Sequence, residues 1–178
     1  MNKFKLSLNS HTSSLWLLLI SSCVLFEVVA LYYQYALEYP PCVVCIQVRI
    51  LLAILLLVAV LGLLSKRFIS ARISTFVLML SICAALVERS WELLGTERGF
   101  IMGSCSFDLG LPNWLALDQW APLLFKVHTT CGYTPILALN ISMAEALLVL
   151  FSLMSAFILW LLYVELSHVM KHTSLKKQ

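Results

Sequence analysis

Hydrophobic positions in this chain gather into four long runs, separated by polar stretches of unequal length. The hydrocarbon core of a bilayer is about 30 Å thick, so a spanning helix needs roughly 20 apolar residues. Runs over residues 15–33, 43–64, 71–90 and 143–164 meet or approach that length. The third is the weakest, with Arg72 at its start and a short apolar stretch that gains its length at the interface. The pattern predicts an all-α membrane protein, a four-transmembrane-helix bundle forming one integral membrane domain over residues 1–178. Two connections lie on one side of it, a short one over about 34–42 and a long one over about 91–142. Within the long connection, residues 109–125 are too apolar for a solvated loop, and Trp114, Leu117, Trp120 and Leu124 recur at helical spacing. Tryptophan favours the headgroup region, so this stretch predicts a short interfacial helix in the second outer loop. Packing against the ends of the bundle is the alternative for the same residues.

Composition agrees. Of 178 residues, 61% are hydrophobic and 12% charged, against about 25% charged in ordinary soluble domains, and the mean hydropathy is +0.94. The formal net charge of +3 comes from Lys and Arg in short clusters between apolar runs, a topology signal rather than a nucleic-acid-binding stripe. Lys3 and Lys5 precede the first run, Lys66, Arg67 and Arg72 join the second to the third, and Lys171, Lys176 and Lys177 follow the fourth. The 34–42 connection has no Lys or Arg, and the long one has only Arg98 and Lys126. Basic residues stay on the cytoplasmic side, which puts both termini there and both remaining loops outside, as four spans also require. Ile20-Ser21-Ser22-Cys23 loosely resembles a lipoprotein cleavage box. The apolar run continues to Tyr33, longer than the 7–15 residues or so of a signal peptide's core, so the first run reads as a retained span.

Topology sorts the six cysteines. Cys23 and Cys83 fall alone inside spans, where a thiol is a small apolar side chain. Cys42 and Cys45 lie where the first outer loop enters the second helix, and Cys105 and Cys131 both lie in the long outer loop. In Pro40-Pro41-Cys42-Val43-Val44-Cys45 the prolines cannot continue a helix N-terminally but suit its first turn. The helix is expected to begin near Pro41–Cys42, where unpaired N–H groups and the helix dipole stabilise a thiolate. A disulfide across this short spacing restrains little, about 2 kcal/mol by chain entropy, so it reads as a redox pair. Zinc would need further ligands, and His128 is the single outward-facing histidine. A Cys105–Cys131 bridge would contribute about 3.5 kcal/mol as a staple. Alone it reads as structural, whereas beside the first pair it suggests an electron relay.

Arg49 follows Cys45 by four residues, one turn deeper on the same helix face. A charge inside a span costs roughly 2.5–3.5 kcal/mol on insertion scales and marks a functional candidate. Snorkelling towards the headgroups is the alternative. Its register with Cys45 would let a guanidinium stabilise a thiolate or a reduced oxygen acceptor. Glu27, in the first span, either pairs with a polar group in the bundle or faces a lipid-shielded crevice.

Four spans, Pro-Cys-Val-Val-Cys at the second helix, an arginine one turn on, and an outer loop with paired cysteines and Trp-Leu-Ala-Leu-Asp-Gln-Trp resemble the DsbB family over nearly the whole chain. The resemblance implies a quinone-dependent protein-disulfide oxidoreductase of the bacterial inner membrane. It would reoxidise a periplasmic DsbA-like thioredoxin-fold oxidase, with ubiquinone or menaquinone as acceptor and no metal. It implies catalytic roles for Cys42, Cys45, Cys105 and Cys131, disulfides Cys42–Cys45 and Cys105–Cys131, and a quinone-binding role for Arg49. Two positions depart from the pattern. Val48 stands where familiar members have an acidic residue, and Glu92 aligns where some have a histidine. Both bear on quinone affinity and proton handling. The alternatives are a four-span scaffold with a stapled outer loop, tetraspanin-like, and a reverse enzyme of the vitamin K epoxide reductase type, whose redox motif usually lies late in the chain.

Overall fold

A computed structural model describes residues 2–65, 68–101, 120–125, 127, 129 and 141–175. Helix α1 runs over Asn2–Tyr35, α2 over Val43–Leu64, α3 over Ile69–Glu97, α4 over the single turn Pro122–Phe125, and α5 over Met143–Leu175. Four of these, over Ser14–Tyr35, Val43–Leu64, Ile69–Glu97 and Met143–Ser167, are long and apolar enough to cross a bilayer. The 22 residues of α2 rise about 33 Å at 1.5 Å per residue, matching the hydrocarbon core. The chain is thus a multi-pass membrane protein of the expected four-helix class.

Neighbours in sequence are neighbours in space. α1 packs on α2, α2 on α3, and α3 on α5, while Phe26 of α1 meets the ring of Phe151 of α5 edge-on at 5.7 Å. One core runs through the four long helices, with Trp16, Leu19, Leu52, Leu55, Met79, Leu86, Phe151 and Ile158 all buried. Cys23 and Cys83 are fully buried within it, as expected of apolar thiols in lipid-facing spans. Leu25, Leu57, Leu61, Leu153 and Leu159 instead face outwards, the all-round apolarity that a bilayer permits.

The third helix is longer than its apolar run predicts. It continues two turns past residue 90, where Arg89 and Glu92 pair at 2.7 Å along its surface. It stops at Gly99, whose φ of +76° is the left-handed conformation that favours glycine. Phe100 N–H then donates to Gly95 carbonyl at 3.1 Å, and Gly99 N–H to Thr96 carbonyl at 3.3 Å, a Schellman ending. The fourth long helix opens on a reciprocal cap. Glu145 N–H donates to Ser142 Oγ at 3.3 Å, and Ser142 N–H to Glu145 Oε2 at 3.1 Å, satisfying two donors that the helix cannot. Arg98 also pairs with Glu145 and ties the two ends together. At the opposite end Arg72, the charge that weakened the third run, pairs with Glu165 of α5.

Of the expected interfacial helix, most lies outside the described residues. Its described part is the turn α4, where Phe125, with Val127 after it, packs on Val43 and Ile46 at the start of α2. Trp120 remains exposed. Leu124 is exposed too, so the described turn has Phe125 against α2 and both described members of the expected stripe turned outwards.

Close approach of α1 and α2 depends on Gly62. A Cβ there would stand 2.4 Å from the Trp16 ring and 2.8 Å from Thr75 Cγ2, while Trp16 is itself stacked on Phe76 at 5.0 Å. Gly62→Val is expected to cost about 1–3 kcal/mol through overpacking, read as a lower thermal unfolding midpoint in detergent. An unchanged midpoint would show that this seam repacks freely.

Candidate functional site

The short loop into α2 builds the first part of the site. Pro40 and Pro41 keep the chain extended, and Cys42 takes the N-cap position with φ −85° and ψ 172°. Its Sγ accepts from Cys45 N–H at 3.3 Å, the bond that a serine or aspartate oxygen makes at this position. Its carbonyl accepts from Ile46 N–H at 3.0 Å. The helix thus begins at Val43, one residue later than the prolines suggest, with Cys42 capping it and Cys45 in its first turn. No disulfide joins them in this structure. Their surroundings differ. Cys42 is buried against Val44, Leu93 and Ala144, whereas Cys45 is partly exposed and lines a cavity.

That cavity, about 560 Å³, lies at the end of the bundle where α1 leads into the loop before α2. α1 contributes Phe26, Val29, Ala30, Tyr33 and Gln34, the loop Glu38 to Pro41, α2 Cys45, Val48, Arg49 and Leu52, and α5 Met143, Ala146, Leu147 and Leu150. Leu25, Val29 and Leu150 line it and are also exposed on the lipid-facing surface, so it opens sideways between α1 and α5. Its walls are apolar apart from a few groups. This is the usual make-up of a small-molecule site, and the volume falls within the usual span of roughly 300–1,000 Å³. Glu38, at the mouth, has a φ of +54°, strained for a residue with a Cβ.

Arg49 is 5% exposed and does not snorkel. Its NH1 donates to Gln34 Oε1 at 2.5 Å, and its Nε lies 3.6 Å from Glu27 Oε2. The polar partner expected for Glu27 is therefore the arginine itself. Neither Arg49 Nε nor Glu27 Oε1 has a hydrogen-bond partner among the described residues. The cavity wall thus carries a buried cation with unspent donor capacity, one helical turn from a thiol.

The structure brings Cys42, Cys45 and Arg49 together, while Cys105 and Cys131 lie outside the described residues. Thr129, two positions before Cys131 in the sequence, lines the cavity. Sequence reasoning missed Gln34 and the α5 wall. The spacing of Glu27 and Gln34, two turns apart on one helix face, was the available signal for the first.

Comparison with known proteins gives a consistent result. The family described as Disulfide bond formation protein DsbB matches residues 12–161. A Disulfide bond formation protein B of Shewanella denitrificans is 32% identical over 148 residues, covering 83% of this chain and 85% of that protein. The protein of the same description from Mannheimia succiniciproducens is 32% identical over 145 residues, 79% of each chain. One from Psychromonas ingrahamii is 31% identical over 143 residues, 78% of this chain and 75% of that protein.

The unequal burial of the thiols has a direct readout. A small maleimide applied to reduced protein in detergent is expected to modify Cys45 well before Cys42, and Cys23 and Cys83 only after unfolding, with each site resolved by peptide mass spectrometry. Equal labelling of Cys42 and Cys45 would contradict the described packing of the cap.

Proposed function

The chain belongs to the DsbB family of disulfide bond formation proteins, and from that premise we propose that it reoxidises a periplasmic DsbA-like dithiol oxidase and delivers the electrons through two cysteine pairs to a membrane quinone. The observation that carries the acceptor end is the joint presence of Cys45 and the buried Arg49 on one apolar cavity open towards lipid. A lipid-soluble quinone reaches such a cavity from the bilayer. The apolar walls suit its ring and tail, and the unspent donor of Arg49 suits a carbonyl oxygen.

In the proposed relay, a thiolate of the reduced partner attacks Cys105 of the Cys105–Cys131 disulfide and releases Cys131. The partner's second thiol resolves the mixed disulfide and leaves oxidised, with Cys105 and Cys131 reduced. Cys131 then attacks Cys42 of the Cys42–Cys45 disulfide, and Cys45 leaves as a thiolate beside the cavity. Cys105 displaces Cys42, restoring the outer disulfide. Thr129 on the cavity wall supports an exchange at this end of the bundle. The helix N-terminus stabilises a Cys42 thiolate through the Cys45 N–H. The quinone supplies a two-electron, two-proton sink, becoming quinol as the dithiol Cys42/Cys45 returns to its disulfide. Arg49 offsets negative charge developing on the acceptor oxygen. DsbA-like partners are strong oxidants, so their recharging needs such a sink.

The Lys and Arg distribution supports both termini in the cytoplasm and the redox loops in the periplasm, within a bacterial inner membrane.

Purified protein mixed with a reduced thioredoxin-fold oxidase and a short-chain quinone is expected to consume quinone absorbance, and Cys45→Ala to abolish it. Turnover by Cys45→Ala equal to that of the unaltered protein would sink the proposal. Arg49→Ala is expected to raise the apparent KM for quinone by roughly tenfold, about 1.4 kcal/mol, with the cysteine pairs still able to form their disulfides. An unchanged KM would remove Arg49 from the acceptor site.

A further inference from the structure

Among the described residues, the polar contacts of the cavity-wall arginine come from the neighbouring helix. Glu27, Ala30 and Gln34 follow one another at helical spacing on α1, and Ala30 and Gln34 line the cavity beside Arg49. Gln34 takes a hydrogen bond from NH1, and Glu27 faces Nε. α2 offers no counter-charge next to the arginine, because the preceding residue is the buried Val48. An isolated cation in this setting would carry a large desolvation penalty, which a carboxylate across the helix interface offsets.

The two contacts differ in kind. Gln34 accepts a hydrogen bond from NH1, whereas the 3.6 Å Nε–Glu27 contact leaves Arg49 Nε and Glu27 Oε1 without hydrogen-bond partners among the described residues. Glu27 therefore neutralises and aims the guanidinium while Nε keeps no hydrogen-bond partner among the described residues. A long side chain such as arginine loses substantial rotamer freedom when held in one place, and here two anchors two turns apart on α1 impose that order before any ligand enters.

We propose that Glu27 is a positioning residue of the acceptor site, acting through Arg49 to hold its guanidinium in the geometry that receives the quinone oxygen. The role rests on the acceptor-site reading given above and extends it to α1. It predicts that the effect of Glu27 on the acceptor vanishes once Arg49 is gone.

The test is a double-mutant cycle with Glu27→Gln, Arg49→Ala and both together. Its readouts are KM and kcat for a short-chain ubiquinone analogue, with reduced thioredoxin-fold oxidase as donor. Glu27→Gln keeps the side-chain shape and removes the charge. It is expected to raise KM by roughly tenfold, the scale of one charge-assisted contact, with little change in kcat. The double variant is expected to match Arg49→Ala alone, because the two residues act as one unit. Glu27→Asp, which retains the charge, is expected to fall between the unaltered protein and Glu27→Gln, and it supplies the comparison if the Gln variant does not fold. A raised KM for Arg49→Ala with an unchanged KM for Glu27→Gln and Glu27→Asp would overturn the positioning role and leave the acceptor site standing. Independent, multiplying effects in the double variant would also overturn it. An unchanged KM in Arg49→Ala would instead overturn the acceptor site itself, and the positioning role with it.

Discussion

A bilayer offers no water to a stranded polar group, and most of this structure follows from that constraint. Many of the described polar side chains of the spans answer it in one of two ways. Hydroxyls bond back to their own helix, as Ser81 does to Val77 carbonyl and Ser90 to Leu86 carbonyl. Charges reach across to another helix, Arg72 to Glu165 and Arg49 to Glu27 and Gln34. At the starts of α5 and α2 the orphaned donors are met by side chains, Ser142 with Glu145 and the Cys42 sulfur. Arg49 Nε and Arg72 Nε are both buried donors without a hydrogen-bond partner among the described residues, and Arg49 lines the cavity beside Cys45. A membrane protein retains such an imperfection at a cost, which is why it points to use rather than to packing.

The same constraint explains which parts of the chain were legible in advance. The number and approximate position of the spans follow from hydropathy, since lipid-exposed helices must be apolar all round. The end of α3 does not. Its last two turns carry Glu92 and Glu97, and they remain helical because an Arg89–Glu92 pair and a glycine ending stabilise them locally, effects that run-length counting ignores. The interfacial helix expected over residues 109–125 was read from tryptophan spacing. Its described turn sets Phe125 against α2 and leaves Trp120 and Leu124 exposed, and the rest of the segment lies outside the described residues.

For the site, the Cys42/Cys45 pair and Arg49 one turn on were visible because they share one helix, and helical geometry relates residues on one helix reliably. Their α1 partners were not, because spacing alone does not say which face of α1 meets α2. Glu27 stood out as an acid in a span, yet only packing shows that it and Gln34 address a single guanidinium. The cavity was equally invisible, since it is assembled from all four long helices, a proline-rich loop and Thr129.

The placement of the two thiols gives the proposed chemistry a direction. A cysteine at the N-cap and one three residues later sit at the same helix end, but they need not meet the same environment. Cys42 is closed in by Leu93 and Ala144 and takes the cap hydrogen bond, while Cys45 turns towards the cavity and Arg49. One sulfur is therefore stabilised by backbone and the other stands beside the ligand space. Thiol–disulfide exchange requires an attacked sulfur and a leaving sulfur, and a pair whose members face different environments gives those roles to different atoms. In the proposed relay electrons arrive at the capped sulfur and depart from the cavity-facing one. The step from aqueous thiol chemistry to a lipid-borne acceptor is then made across one turn of α2.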